Sequence, residues 1–264
     1  MPITVQNVID KLLEPIDSIQ NTVDTLLSGN PALEVKGIAT AFMATQQVIE
    51  QAIALGANLL ITHEGIYFSH HDNEKSLEND PIYNDKSRLI NDSGLAIFRF
   101  HDHWHKCKPD GIMAGLIQEL NWQSYVVENQ PAATILSIPQ MTVGEISAYI
   151  KKLLGIQYLR FSGDLSMNCT RIGLLAGYRG GGGLCIPLYE KEDLDLIIYG
   201  EGPEWETPEY VRDANYQGRQ KNLIVLGHAE SEEPGMNYLA EWIRTIFPSI
   251  PTHFIKVEQA LKVL

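Results

Sequence analysis

The chain repeats itself. From Asn58 it reads NLLITHEGIYF, and from Asp195, about 137 positions on, it reads DLIIYGEGPEW. Each segment is a short apolar run that enters a polar turn with Glu-Gly at its tip, Glu64-Gly65 in one and Glu201-Gly202 in the other. Each is followed by a second apolar run that ends in histidine: LAIFRFHDHWH from Leu95 and LIVLGHAESEE from Leu223. In both halves a candidate metal ligand stands four residues beyond that histidine, His105 after His101 and Glu232 after His228. Short apolar runs bounded by turn residues read as buried strands. A duplication of this kind predicts an α/β fold of two similar, intertwined units with mixed sheets. It also predicts that the His and Glu residues at the strand ends converge on one metal site in the cleft between the units.

The flanking segments fit strand–helix–strand order. VKGIATAFMA (35–44) reads as a strand. ATQQVIEQAIALG (44–56) reads as a helix with Val48, Ile49, Ala52 and Ile53 inward and Gly56 as its stop. The strand NLLIT follows, which implies a βαβ crossover and a parallel pair. Residues 3–17 have helical spacing, 69–81 form a polar loop with His70-His71 in solvent, and KSRLINDSG (86–94) is a helix end with a glycine stop. PDGIMAGLIQELNW (109–122) is a helix with Pro at its start. TVGEISAYIKKLLG (142–155) carries the capping-box pattern, Thr142 with Glu145 three residues on. From RIGLLAG (171–177) the order strand, glycine turn, helix, strand recurs, followed by the helix PEYVRDANYQG, the strand LIVLGH, the helix NYLAEWIRTIF and the strand THFIKV. The boundary falls between 125 and 170, which gives a first unit over 1–125 and a second over 126–264.

Composition narrows the function. With 44% hydrophobic and 20% charged residues, the chain has the balance of a soluble globular protein. No apolar run approaches the roughly 20 residues of a membrane span. The acidic, helical N-terminus lacks the basic region and apolar stretch of a signal peptide, so a cytoplasmic protein is expected. A net charge of −13 with scattered Lys and Arg argues against nucleic acid as a partner, which requires a basic surface. It leaves room for a small phosphorylated ligand neutralised by a metal or a local Arg. Cys107, Cys169 and Cys185 are odd in number and form no CxxC pair, against a disulfide framework or a cysteine zinc knuckle.

Three places carry candidate chemistry. His63 and Glu64 leave a buried-type strand, and ligand sites of open α/β sheets lie beyond the C-terminal strand ends; a surface turn with a locally bonded histidine is the plainer alternative. His101 to His105 puts three histidines and an aspartate into five residues, with i and i+4 on one face if a helical turn follows the strand; a solvated loop is the alternative. His228 and Glu232 share that spacing, against the alternative of a helix N-terminus decorated with acids. Imidazoles suit zinc, iron, nickel and copper, and carboxylates add preference for manganese and iron. The run GYRGGGG (177–183), with Arg179, reads as a turn that lets chain segments approach closely, in preference to a phosphate cradle. It matches neither the P-loop nor the dinucleotide pattern.

Taken in order, THEG (62–65), HDHWH (101–105), AGYRGGGG (176–183), YGEG (199–202) and GHAESE (227–232) resemble the motifs of the Nif-three-like dinuclear metal-centre family, also called the GTP cyclohydrolase I type two family. Those motifs are HHG, HTxLD, a glycine-rich turn, TG(E/D) and GHxxSE. VDTLLSG (23–29) is similar to the family's DNVGLxxG. The resemblance covers almost the whole chain. It implies two divalent transition-metal ions, zinc, iron or manganese, with His63, Glu64, His105, His228 and Glu232 as ligands and His101 close by. Glu64 stands where the family has His, and His105 where it has Asp. The ligand types have changed places and their total is kept, so the site reads as compensated.

The expected function is metal-assisted hydrolysis of a small-molecule substrate, a nucleotide as in a GTP cyclohydrolase or another phosphoester. His101 is then the catalytic proton shuttle and Glu201 a carboxylate that orients a ligand. A fold does not fix an activity, and two alternatives stay open. One is a non-catalytic metal-binding scaffold or regulatory protein that forms a ring-shaped oligomer; the other is a metal-trafficking protein. The resemblance also implies a homohexamer.

Overall fold

The computed structural model describes residues 2–70 and 77–263, so His71 and the centre of the polar 69–81 stretch lie outside the described residues. The chain divides into unit 1, Met1–Gly111 with Gly235–Glu258, and unit 2, Ile112–Pro234 with Gln259–Leu264.

Unit 1 opens with α1 (Val5–Leu13), started by a reciprocal capping box between Thr4 and Asn7. Its five-stranded sheet has the order β1 (Thr25–Ser28), β4 (Ala96–Arg99), β3 (Leu59–Thr62), β2 (Ile38–Ala41), β11 (Thr252–Phe254). Strands β2, β3, β4 and β11 are parallel, and β1 runs antiparallel at the edge. The helix α2 (Gln46–Ala54) connects β2 to β3, and α3 (Pro81–Ser93) connects β3 to β4. Every residue of β2, β3 and β4 is buried. That is the state of parallel strands covered on both faces, and it is why these runs lack polar alternation. Ala39, Leu60 and Ile97 share a core with Val48, Ile49 and Ala52 of α2, where each large aliphatic side chain contributes about 1.5–3 kcal/mol. Ile53, expected inward, is 39% exposed. A helical residue advances about 100°, so Ile53 lies one step past Ala52 and off the buried stripe. Asp80 caps α3, and Gly94 closes it in the left-handed conformation. After β4 the chain enters the short helix α4 (Asp102–Lys106).

The helix α5 (Gly111–Glu119) leads into unit 2 and begins two residues after Pro109, not at it. The six-stranded sheet has the order β5 (Val126–Asn129), β6 (Thr134–Thr142), β8 (Asn168–Leu175), β9 (Leu196–Tyr199), β10 (Asn222–Val225), β7 (Arg160–Ser162). Strands β8, β9 and β10 are parallel, and the remaining pairings are antiparallel. The expected capping box starts α6 (Val143–Leu154): Thr142 accepts from the Glu145 N–H, and the Glu145 carboxylate accepts from the Thr142 N–H at 2.8 Å. The helix α7 (Gly182–Lys191) joins β8 to β9, α8 (Thr207–Tyr216) joins β9 to β10, and α9 (His228–Ile246) follows β10, with Gly235 onward counted in unit 1. Among the described residues no helix is long and apolar enough to cross a membrane.

The duplication is visible in the topology. In unit 1 the order β2–α2–β3–α3–β4–α4 ends on an antiparallel neighbour, β1; in unit 2 the order β8–α7–β9–α8–β10–α9 ends on an antiparallel neighbour, β7. Leu59 faces Ile38 and Ala96, and Leu196 faces Ile172 and Asn222. This register makes Glu64 the counterpart of Glu201. It makes His228 the counterpart of Asp102, one residue away from His101. The two halves of the fold are equivalent, but their histidines are not.

Candidate metal centre

In unit 1 the candidate residues leave the C-terminal ends of β3 and β4, where parallel sheets present their ligands. His63 is fully buried. Its ring stacks on His101 at 4.3 Å and meets His105 edge-on at 4.9 Å. One ligand atom each from His63, His101 and His105 lies within 4.8 Å of the others, and Glu64, His70 and His101 form a second such group. The expected i, i+4 relation holds because α4 begins at once: the His105 N–H donates to the His101 carbonyl at 3.1 Å.

Asp24, just before β1, is what starts that helix. Its carboxylate accepts from the backbone N–H of His101 at 2.7 Å, Asp102 at 2.9 Å and His103 at 2.9 Å. Those are donors a helix N-terminus otherwise leaves unsatisfied. The same carboxylate takes His103 Nδ1 at 2.6 Å, so His103 belongs to the scaffold of the site. His101 Nδ1 lies 2.9 Å from Asp102 Oδ1, and His105 Nδ1 lies 3.0 Å from Asp110 Oδ2. A carboxylate at Nδ1 fixes the proton there and makes Nε2 the lone-pair nitrogen. Burial first, and then the neighbouring His63 and His105, push His101 down to about 4, which leaves it neutral at pH 7. Burial works against the Asp102 carboxylate, but hydrogen bonds from His101, the Val23 N–H and Thr22 outweigh it and hold Asp102 at about 2.

Two buried cations set the loop that follows β3. Arg99, fully buried, places Nη2 at 2.8 Å from Glu64 Oε2 and donates from Nη1 to the His70 carbonyl at 2.7 Å and from Nε to the His63 carbonyl at 3.4 Å. Lys86 of α3 donates to the Ile66 carbonyl at 2.5 Å and sits over the rings of Tyr67 and Phe68. Burial pushes Lys86 down to about 8. His70 has a side chain 44% exposed, yet its Nδ1 lies 3.3 Å from Glu64 Oε2. Sequence reasoning assigned none of Arg99, Lys86, Asp24 or His70 to the site. The available signal was a lone Arg in an apolar strand, a cation that burial forces to find anions or carbonyls.

In unit 2, His228 is the first residue of α9. Its Nδ1 is 2.9 Å from Glu201 Oε1, and its Nε2 is 3.1 Å from Glu232 Oε2 one turn on. Glu201, which the sequence reading expected to orient a ligand, thus contacts the candidate ligand His228. Burial opposes the imidazolium, but Glu232 and Glu201 together outweigh it and raise His228 to about 9. A divalent ion taken by Nε2 and Glu232 would replace that proton. The glycine run serves close approach. Gly177 has φ +67°, and a β-carbon there would stand 2.0 Å from Glu232 Oε1. Ser231 Oγ accepts from the Gly177 N–H at 2.9 Å and donates to the His228 carbonyl at 2.7 Å, pinning this turn to α9. At the start of α7 the Gly182 N–H donates to Glu206 at 2.5 Å, so a side chain of the protein already meets that helix end.

The donor set suits a borderline divalent ion, since imidazoles whose outer nitrogens rest on carboxylates are the common form of metal-binding histidine. The profile of the Duf34/NIF3 family (NGG1p interacting factor 3) matches residues 4–260. The chain is 26% identical over 227 residues to the GTP cyclohydrolase 1 type 2 homolog of Clostridium perfringens, across 83% of this chain and 82% of that protein. It is 25% identical over 235 residues to the Chlamydia pneumoniae protein of the same name, across 86% of each. The Staphylococcus aureus hypothetical protein SA1388 superposes with a TM-score of 0.77 at 19% identity over the full length of both chains. A Bacillus cereus protein related to NIF3 gives 0.77 at 13% identity over 98% of each. At these identities the structural likeness speaks for the fold alone.

Proposed function

The chain belongs to the Duf34/NIF3 family, and from that membership and the histidine geometry we propose that it is a metal-dependent hydrolase. Its divalent transition metal, two ions in the form the family resemblance implies, is taken by His63, Glu64 and His105 in unit 1 and by His228 and Glu232 in unit 2. The observation that supports this best is shared by three histidines. His101, His105 and His228 each rest Nδ1 on a carboxylate of their own unit, and that arrangement leaves Nε2 for an ion at His105 and His228 and for proton transfer at His101. A bound divalent ion supplies Lewis-acid activation of water for hydrolysis. The residues of the chain supply orientation: Asp102 and Asp110 fix the imidazoles, Glu201 fixes His228, and Arg99 fixes Glu64.

The shared name of the relatives, GTP cyclohydrolase 1 type 2 homolog, makes a nucleotide the substrate class of this proposal. A cytoplasmic homo-oligomer, a hexamer by family resemblance, is part of it; light scattering that gives a single chain of 29.6 kDa contradicts the assembly. The activity is tested with nucleoside triphosphates, cyclic nucleotides and simple phosphoesters. Turnover lost to chelator and restored by divalent metal supports the proposal. A metal-loaded protein that turns over none of them is instead a metal-binding scaffold.

A further inference from the structure

Resting on the metal-binding reading above, we infer that His63, His101 and His105 form a self-sufficient tris-imidazole metal site within unit 1, in which His101 is a ligand and not a proton shuttle.

The three ligand atoms already lie within 4.8 Å of one another. Nitrogen atoms around a tetrahedral ion with bonds of about 2.0–2.1 Å are roughly 3.4 Å apart, so the rings need to close by no more than about 1.4 Å. Each is aimed by its own support. His101 and His105 sit one turn apart on α4, with Nδ1 on Asp102 and Asp110 respectively. His63 is held through its backbone, its N–H on the Phe42 carbonyl at 3.1 Å and its carbonyl on Arg99.

An imidazole whose Nδ1 rests on a carboxylate has one nitrogen left, which can carry a proton or bind an ion. In His101 that nitrogen is Nε2: the side chain is 16% exposed, and Nδ1 faces Asp102, whose second oxygen is tied to Thr22 and Val23. The rings of His63 and His105 lie against His101, at 4.3 and 5.0 Å, and this crowding of imidazoles favours the ligand role. The competing group joins the same His101 to Glu64 and His70, and there Arg99 Nη2 stands 2.8 Å from Glu64 Oε2 and 2.9 Å from His70 Nδ1. A dication there would have to share Glu64 Oε2 and His70 Nδ1 with a buried guanidinium, so Glu64 joins the unit 1 site only through its other oxygen. The tris-imidazole set has two carboxylates behind it instead. Three neutral nitrogens at the core of the site favour zinc, cobalt or nickel over manganese or magnesium.

The test uses the full chain, stripped of metal, with His228→Ala and Glu232→Ala combined as the background. Cobalt(II) is added and followed by equilibrium dialysis and visible absorption. The background protein should keep one cobalt ion per chain. Adding His101→Gln should weaken that ion by about 100-fold or more, and Asp110→Asn by about 10–100-fold. Matching metal-free melting curves show that the variants fold. His101→Cys guards against a fold defect in the Gln variant: as a ligand it should add a thiolate-to-cobalt charge-transfer band in the near ultraviolet. If His101→Gln binds cobalt as tightly as its parent, or His101→Cys shows no such band, His101 is no ligand and the inference is overturned. If the background binds nothing while the wild type binds metal, the unit 1 set is not self-sufficient and the broader metal reading survives. A wild type that binds no metal removes both.

Discussion

Gly177→Ala perturbs the centre without touching a ligand. A β-carbon at this position would stand 2.0 Å from Glu232 Oε1, 2.9 Å from its Cδ and 3.5 Å from His228 Nε2. Real β-carbon contacts essentially never fall below 3.0 Å, so the carboxylate must withdraw by about 1 Å or more, whereas metal–ligand distances tolerate about 0.2 Å. The backbone adds a second penalty. Gly177 is at φ +67°, and the left-handed conformation costs a residue with a side chain about 1–2 kcal/mol. For a protein of this size that lowers Tm by about 2–8 °C. Metal content should fall by about one ion per chain as Glu232 leaves its place. Gly183→Ala is the control: a β-carbon there meets nothing within 4 Å, and in the first turn of α7 alanine should be neutral or stabilising by up to about 1 kcal/mol. Elemental analysis and thermal melting of both variants decide the matter. A Gly177→Ala protein with wild-type metal, or a Gly183→Ala protein that loses as much, refutes the reasoning.

Arg99→Met removes the cation from a buried pair with Glu64 and should cost about 3–5 kcal/mol in urea unfolding, part of it recovered by adding Glu64→Gln. Lys86 has a folded-state value near 8 against an ordinary 10.5. Between these the unfolded chain carries a proton that the folded chain does not, so stability from this group rises with pH across that window. The unfolding free energy of the wild type relative to Lys86→Met should therefore climb by up to about 3 kcal/mol from pH 8 to 10.5, and a flat difference disproves it. Thr142→Ala opens the capping box of α6 and should cost about 1 kcal/mol with no change in metal content.

The sheets were legible because buried parallel strands are written as unbroken apolar runs, LLIT and LIIY above all. The duplication was legible for the same reason, but its register was not. Counting from the ends of the apolar runs pairs His101 with His228, whereas the pairing of Ala96 and Asn222 with their neighbours sets His228 against Asp102. Strand pairing, which no local pattern encodes, decides between them. The histidines and Glu232 announced themselves as polar residues at strand ends. Their supports did not: Asp24 reaches the N-terminus of α4 across nearly 80 residues, and Arg99 and Lys86 look like ordinary charges until their burial is known. His70 belonged to a loop whose polarity suggested solvent, and Arg99 brings it back to Glu64. The glycine run was read correctly as a place of close approach, but the residue that needs the space, Glu232, lies 55 positions away and was out of sight.

Elemental analysis of the full chain purified without added metal, beside Glu232→Ala prepared in the same way, tests the central claim most directly. The account predicts about two transition-metal ions per chain in the wild type and about one in the variant, the ion on the unit 1 histidines being retained. Equal metal in the two proteins, or a wild type with well under about one ion in ten chains after reconstitution, would contradict it.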